Sequence, residues 1–205
     1  MNLPAKSDSV LILASQSPFR AAMLKNAGLA FETAVAEIDE RAVEAPLVEA
    51  GMDASDIAEV LALAKAREVS ERFAGKVIIG ADQTLGLDGE MLHKPRDMEE
   101  ARRRLLQLSD RAHQLNSAAC LLRDGETLWS HVEICRLRFR KLDPGFVGRH
   151  LAAVGEAALQ SVGAYHIEGR GAQLVESMEG DFFSIMGLPL LALLAALRRQ
   201  ELIDH

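Results

Sequence analysis

The chain has 205 residues, of which 49% are hydrophobic and only 4% aromatic, and its formal net charge is −7. A chain of this length can bury a sizeable core, which must be built mainly from Leu, Ala, Val and Ile. The acidic balance excludes a general nucleic-acid binder, because such a protein needs a basic field to displace counterions. A small polyanionic substrate stays compatible, provided that a locally positive pocket and a divalent cation accompany it.

Compartment signals are consistent with one another. Cys120 and Cys135 form no CxxC motif and no cluster with metal-ligand spacing, which favours buried free thiols in a reducing compartment. Residues 1–6 lack the long apolar segment of a signal peptide. The most apolar stretch, 185–197, is too short to span a bilayer. We therefore expect a cytoplasmic protein with no membrane segment.

The first predicted strand and helix carry a chemical signature. Val10–Leu13 predicts a short buried strand. Ser17 suits the N-cap and Pro18 the first position of a helix that ends before Gly28. Arg20 then lies in the first turn, where a cation opposes the helix dipole unless an anion binds there. The alternatives are a phosphate site, to which the guanidinium contributes, and a capped helix with a solvated arginine.

The remaining elements interleave without regular βα alternation. In chain order, the patterns predict a strand at 31–38, an irregular polar connection at 41–54, a helix at 55–73, a strand at 77–79, a helix at 97–108, strands at 115–122 and 127–139, a helix from 143, a strand at 172–175 and a helix at 188–202. Two-residue hairpin turns are predicted at Asp88-Gly89 and Asp124-Gly125. This order favours an α/β fold of mixed α+β character, with helices flanking a mixed twisted sheet.

The first hairpin brings an acid and a lysine toward its open end. Reading the ladder outward from the two-residue turn places Gln83 opposite Lys94, with Asp82 one step away. A carboxylate beside a fixed lysine stays ionised, which suits a base or a metal ligand. The alternative is a surface salt bridge that closes the hairpin.

Two further polar positions each allow two interpretations. Lys65 falls on or beside the apolar stripe of its helix, so its ammonium either snorkels to water or reaches a buried anion. Asp39 and Glu40 follow a strand-like segment and either help to bind a cation through oxygen ligands or form a solvated acidic loop. The segment 169–171, Gly-Arg-Gly, lacks the third glycine of a dinucleotide fingerprint, and we discount it.

Together these motifs resemble the Maf family of nucleoside triphosphate pyrophosphatases. The matching segments follow the family's order and cover nearly the whole chain: LILASQSPFR (11–20), EIDE (37–40), LALAKA (61–66), VIIGADQ (77–83), LDGEMLHKP (87–95) and SVGAYHIEGRGAQLVESMEGDFFSIMGLPL (161–190). The resemblance implies a fold like that of the inosine triphosphate pyrophosphatase group, with residues 1–205 as one domain or as two lobes around a central cleft. It implies hydrolysis of the α–β phosphoanhydride of a nucleoside triphosphate, a requirement for Mg²⁺ or Mn²⁺, and a homodimer.

The resemblance also implies roles for individual residues. Asp82 matches the aspartate regarded as the family's catalytic base. The positions that hold the triphosphate correspond to Ser15, Arg20, Lys65 and Lys94. Glu40 matches an acidic position near the site that could help to bind the metal.

Three departures from the commonest family pattern resemble the branch that acts on 7-methyl-GTP. Phe19 replaces the first of two consecutive arginines, Gln83 replaces a threonine, and Glu168 replaces a glutamine. That branch usually has tryptophan at the first of these positions. A methylated guanine is cationic and electron-poor, so it should stack on Phe19, while Glu168 could accept hydrogen bonds from its N1–H and N2 amino edge. The alternative for Phe19 is a helix residue packed into the core.

The leading hypothesis is therefore a pyrophosphatase that acts on 7-methyl-GTP or other modified nucleotides. One rival is the branch of the same family that cleaves UTP and dTTP. Another is a nucleotide-binding regulator of cell division that needs no turnover. Asp82, Lys65 and Lys94 together favour an enzyme, because binding alone does not require a base beside the phosphates.

Overall fold

The computed structural model describes residues 10–204, across which seven strands form one sheet flanked by helices. The strands are β1 (Leu11–Ala14), β2 (Glu32–Thr33), β3 (Val77–Leu87), β4 (Glu90–Leu92), β5 (Ala112–Arg123), β6 (Glu126–Phe139) and β7 (Val175–Glu179). The helices are α1 (Pro18–Asn26), α2 (Glu40–Glu49), α3 (Ala54–Arg72), α4 (Met98–Leu108), α5 (Pro144–Val154), α6 (Phe182–Ile185) and α7 (Leu190–Arg199). Short 3₁₀ helices occupy Gly155–Gln160 and Arg170–Leu174.

The sheet is parallel at one end and antiparallel at the other. Its strand order is β2-β1-β3-β5-β6-β7, and β4 pairs with the far end of β3. β1 runs parallel to both β2 and β3, whereas the pairs β3–β5, β5–β6 and β6–β7 are antiparallel. The prediction of a mixed sheet with flanking helices is confirmed.

Side-chain alternation along β1 and β3 determines which helices each face of the sheet packs against. Leu13 and Ile79 pack into a cluster with α1 and α7, whereas Ile12 and Ile78 pack against α3. Because successive strand residues point to opposite faces, the even-numbered residues of this part of β3 face α3. Asp82 therefore points toward α3.

Gly80 allows α3 to lie unusually close to β3. A Cβ atom placed on Gly80 would lie 2.3 Å from the carbonyl oxygen of Ala62, 2.6 Å from Cys120 Sγ and 2.8 Å from Ala66 Cβ. Such distances are shorter than any non-bonded contact of a real side chain, so only glycine fits between this strand and this helix. The close approach brings the helical turn that contains Lys65 to the strand segment that contains Asp82.

Local signals predicted several elements correctly. Ser17 caps α1, its hydroxyl accepting a hydrogen bond from the backbone of Arg20, and Gly28 adopts the predicted positive φ of 80°. The two hairpin turns and the helices beginning after Asp97 and Asp143 are also confirmed. In each case the signal is a cap or turn residue whose side chain or backbone acts within a few positions.

Three predicted segments are wrong. The strand expected at 31–38 is only two residues long, and the connection expected at 41–54 contains α2, whose N-cap is Asp39. The strand expected at 172–175 is largely a 3₁₀ helix that precedes β7. The discounted segment 169–171 lies at the start of that 3₁₀ helix, not before a strand.

Several expectations concern thiols, membranes and the N-terminus. Cys120 and Cys135 are buried free thiols, as predicted, and burial raises the pKa of Cys120 to about 12. Among residues 10–204, no helix combines the length and the apolar character that a membrane crossing requires. The expectation for residues 1–6 lies outside the described residues.

We expect Gly80→Ala to lower the free energy of unfolding by about 1–3 kcal/mol, because the added methyl group must displace Ala62 or Ala66. Gly86→Ala is the matched control in the same strand, since the nearest contact of its added Cβ is 3.8 Å away. Urea unfolding followed by circular dichroism measures both. Equal midpoints for the two variants would contradict the close approach at Gly80.

Candidate active site

The predicted site residues converge on a cleft beside the end of β1. β1 ends at Ala14, which pairs with Gly80, so the following residues of β3 open onto the cleft. The cleft consists of two adjoining cavities of about 280 and 220 Å³. The residues that line both cavities are Ser17, Phe19, Arg20, Glu40, Lys65, Lys94 and Gln160.

Lys65 lies at the centre of the cleft and joins two carboxylates. Its Nζ is 2.5 Å from Asp82 Oδ1 and 2.8 Å from Glu40 Oε1. The side chains of Lys65 and Asp82 are only 12% and 10% exposed, whereas that of Glu40 is 53% exposed. Of the two interpretations of Lys65, contact with a buried anion is confirmed.

The predicted partner of Asp82 was wrong. The pairing of β3 with β4 keeps the expected register but ends at Leu85 and Leu92, before it reaches Gln83 and Lys94. The lysine bound to Asp82 comes instead from α3, which packs on that face of β3. The surface salt bridge considered for this hairpin end is not formed, since the ion pair of Asp82 is buried and belongs to another element.

Arg20 is anchored across the cleft by three hydrogen bonds. Its Nη1 donates to the carbonyl oxygen of Ala81 at 2.9 Å and to Ser15 Oγ at 3.1 Å, and its Nε donates to the carbonyl oxygen of Gly187 at 2.8 Å. Burial lowers the pKa of Arg20, while Asp82 and Glu40 act in the opposite direction. The two N–H groups of Nη2 have no hydrogen-bond acceptor between residues 10 and 204, so they remain available to an anion.

The start of α1 adds further donors on the same side. Ser15 Oγ accepts hydrogen bonds from the backbone of Ser17 and from Arg20, and its own O–H meets no acceptor among residues 10–204, so it can donate to a ligand. The second cavity, which contains Ser15, is lined by three cations, Arg20, Lys65 and Lys94, and by one carboxylate. This end of the cleft is therefore electropositive in a protein whose net charge is −7.

Lys94 lies at the mouth of the cleft and remains partly exposed. Loss of hydration against the cleft walls lowers its pKa, and the nearby cations Arg20 and Lys65 lower it further. A polyanion placed among these three groups would remove the mutual repulsion. The arrangement is therefore suited to binding a phosphate chain.

Phe19 and Glu168 both line the larger cavity, and Phe19 also borders the smaller one. Phe19 is half-buried and belongs to none of the three buried apolar clusters of residues 10–204; instead it lines the cleft beside the ring of His166. Core packing, the alternative considered for Phe19, is therefore not observed. Glu168 is exposed and lines only the larger cavity.

Gln83 is fixed by its amide group. Its Nε2 lies 2.9 Å from Ser117 Oγ and 3.1 and 3.2 Å from the carbonyl oxygens of Ser184 and Ile185. These acceptors orient the NH₂ group toward α6, so only the Oε1 atom of Gln83 is left for a ligand. The predicted contribution of this residue to selectivity is thus limited to one acceptor.

Sequence reasoning missed a polar cluster on the opposite wall. Glu44 of α2 is buried, and its Oε1 is 3.3 Å from Arg41 Nη1 and 3.2 Å from His93 Nε2. Arg104 donates to the carbonyl oxygens of His93 and Val162 and so ties the segment before Lys94 to the loop that follows the first 3₁₀ helix. No spacing signal identified Glu44, because α2 itself was not predicted.

A divalent cation would find two carboxylates here, Asp82 and Glu40, held together by one ammonium group. No group of three or more His, Cys, Asp or Glu side chains suited to a metal occurs between residues 10 and 204. Mg²⁺ is commonly bound by one or two carboxylates together with substrate phosphates and water. The residues present therefore fit a cation that arrives with its polyphosphate.

The family of the chain is settled by comparison with known proteins. The family model described as "Maf-like protein" matches residues 10–200. The chain belongs to the Maf family. This membership agrees with the mixed sheet and with the cleft residues found above.

Relatives of this Maf protein have been named for their activities. The chain is 60% identical over 194 residues to a protein of Brucella abortus named 7-methyl-GTP pyrophosphatase, covering 95% of this chain and 98% of the relative. It is 62% identical, over the same shares, to a Mesorhizobium japonicum protein of the same name. A Nitrobacter winogradskyi protein named nucleoside triphosphate pyrophosphatase is 48% identical, covering 95% of both chains.

We expect Arg20→Lys to weaken the binding of tripolyphosphate by on the order of tenfold, since a lysine cannot keep both carbonyl contacts and still offer two parallel donors. Lys25→Met, on the exposed last turn of α1, removes a cation without touching the cleft and should change the affinity little. Isothermal titration calorimetry measures both. A normal affinity in Arg20→Lys would show that Arg20 is only structural.

Proposed function

We propose that this Maf protein hydrolyses the α–β phosphoanhydride of a nucleoside triphosphate, giving the monophosphate and pyrophosphate. The observation that carries the proposal is Asp82, a nearly buried carboxylate that is bound to Lys65 and lines the larger cavity together with Phe19 and Glu168, beside a smaller cavity that is electropositive. A nucleotide has the same polarity, with an anionic chain at one end and a flat base at the other. The names of the relatives support this reaction.

Asp82 is the group best placed to act on water. Its Oδ1 is occupied by Lys65, but its Oδ2 accepts no hydrogen bond from residues 10–204. In the proposed step, Oδ2 takes a proton from a water molecule whose oxygen attacks the α-phosphorus. The bond from that phosphorus to the α–β bridging oxygen breaks, and pyrophosphate leaves with the electron pair.

The cations act on the charge that moves during this step. Arg20 and Lys94 lie where the β- and γ-phosphates would bind, and they stabilise the negative charge that develops on the leaving pyrophosphate. Lys65 orients Asp82 through its contact with Oδ1. These groups are fixed before the substrate arrives, which reduces the reorganisation that the reaction requires.

Mg²⁺ or Mn²⁺ is proposed as the cofactor, with Glu40 as the protein ligand. When bound, such a cation neutralises phosphate charge and polarises the phosphoryl oxygens. Glu40 is more exposed than Asp82 and also contacts Lys65. It can therefore exchange its contact with Lys65 for one with the cation without disturbing Asp82.

The substrate we propose is 7-methyl-GTP or another modified nucleotide. Phe19 provides an aromatic face in the cleft, and Glu168 provides a carboxylate in the same cavity. An aromatic face and a carboxylate both favour a cationic, electron-poor base that carries N–H donors. An arginine in place of Phe19 would repel such a base.

The rival substrates UTP and dTTP are less well matched, because an uncharged pyrimidine gains little from the Glu168 carboxylate. The regulator hypothesis is disfavoured by the Lys65–Asp82 pair, which places a base beside the phosphate end of the cleft. A homodimer, a cytoplasmic location and the absence of nucleic-acid partners stay predictions from the sequence and its resemblance.

We expect Asp82→Asn to lower kcat for 7-methyl-GTP by about 10²- to 10⁴-fold while the protein remains folded, since the amide cannot accept the proton. Glu71→Gln, on an exposed position of α3, is the control for the loss of a carboxylate. A coupled assay of pyrophosphate release, with and without Mg²⁺, measures turnover. Activity of Asp82→Asn within a few-fold of wild type would contradict the assignment of Asp82 as the general base.

We expect Phe19→Arg combined with Glu168→Gln to shift the ratio of kcat/KM values from 7-methyl-GTP toward UTP and dTTP. The double variant removes the aromatic face and the carboxylate and adds a cation that repels the methylated base. Each single variant should give an intermediate ratio. An unchanged substrate profile would count against both residues as selectors.

A further inference from the structure

His166 forms an aromatic pair with Phe19 in the wall of the cleft. The ring centroids are 4.6 Å apart, and the ring planes are inclined by 53°. Both rings line the larger cavity, together with Glu168 two residues further along the chain. His166 takes no part in the hydrolysis proposed above.

The backbone of His166 is held by the turn that follows it. The N–H of Gly169 donates to the carbonyl oxygen of His166 at 3.2 Å. A Cβ on Gly171 would lie 2.3 Å from the same oxygen and 2.9 Å from the His166 nitrogen, so the chain folds back tightly on this residue. The backbone of His166 is therefore fixed by local geometry before any ligand binds.

The surroundings of His166 favour the neutral ring. Its Nε2 is buried and has no hydrogen-bond partner among residues 10–204. In the protonated imidazole both ring nitrogens carry an N–H group. The N–H on Nε2 would then be buried without an acceptor, next to the positive charge of the ring, which costs free energy. Burial lowers the pKa of His166, and Lys94 lowers it further, whereas Glu168 acts in the opposite direction.

We propose that His166 is a positioning residue that holds Phe19 as a fixed stacking wall for the base and contributes to selectivity by remaining uncharged. This inference rests on the proposed function, because it assumes that the base stacks on Phe19. A protonated imidazole against Phe19 would repel a cationic 7-methylguanine, whereas a neutral one lets the aromatic face and Glu168 attract it.

The charged groups around the pair are few. Glu168 comes from the same turn as His166, Lys94 from the segment after β4, and Arg20 from the helix that carries Phe19. Since Lys94 and Arg20 already outnumber the single carboxylate of Glu168 in this group, a third positive charge on His166 would make the surroundings of the base more repulsive to a cation.

The test compares His166→Ala with His166→Phe. His166→Ala removes the support of Phe19 and should raise KM for 7-methyl-GTP by about 3- to 10-fold, with kcat changed by less than about twofold. His166→Phe restores an aromatic partner and should restore KM. If the alanine variant does not fold, as judged by thermal unfolding, His166→Leu replaces it.

His131→Ala is the matched control. His131 stacks on Trp129, with centroids 6.0 Å apart and planes inclined by 17°, and it lies on β6 away from the residues that line the cleft. Its removal deletes an equivalent histidine–aromatic contact and should leave KM unchanged.

A pH profile separates positioning from packing. A histidine with a lowered pKa stays neutral to a lower pH than usual. The ratio to measure is kcat/KM of the wild type divided by kcat/KM of His166→Phe, both with 7-methyl-GTP. This ratio should stay constant near neutral pH. The ratio should fall in the acidic range, where His166 becomes protonated. The fall should be smaller with GTP, whose base is uncharged.

The outcomes distinguish the two proposals. If the wild type prefers UTP or dTTP to 7-methyl-GTP, the proposed function fails and this inference fails with it. If the wild type prefers 7-methyl-GTP but His166→Ala keeps a normal KM, the inference alone is overturned. It is also overturned if His166→Phe is as impaired as His166→Ala.

Discussion

The contact between Lys65 and Asp82 is the interaction on which the cleft depends. It forms because Gly80 lets α3 lie against β3, and because strand alternation points Asp82 at that helix. The pair is nearly buried, and Glu40 adds a second carboxylate contact to Lys65 from the cleft side. A carboxylate is thereby fixed where the sheet opens onto the cleft, next to the end of β1.

The distribution of charge explains how an acidic protein can bind a polyanion. Arg20, Lys65 and Lys94 line both cavities, whereas the carboxylates of Asp82, Glu44 and Glu168 line only the larger one. The smaller cavity is therefore the more positive of the two, and this difference would orient a nucleotide as well as bind it. In this arrangement the phosphate end serves any nucleoside triphosphate, and the choice among bases depends on the walls of the larger cavity.

The sequence predicted the parts of the site that depend on local signals. Ser17 and Gly28 mark α1 through capping and positive φ, so the location of Arg20 at the start of that helix could be read directly. α2 was missed because its polar segment and Pro46 resemble a loop, and its stability comes from Asp39 as a cap and from contacts made in the fold. For α2, contacts made in the folded protein thus outweigh the weak helix propensity of its sequence.

The partner of Asp82 could not be predicted from hairpin register, because the pairing of β3 and β4 ends before Lys94 and the partner comes from a helix distant in sequence.

The proposed function is tested most directly by measuring kcat/KM across 7-methyl-GTP, GTP, UTP, dTTP and CTP, with the products identified by ³¹P NMR. We expect 7-methyl-GTP to give the highest kcat/KM and to yield pyrophosphate. A preference for UTP or dTTP, or the release of orthophosphate as the first product, would contradict it.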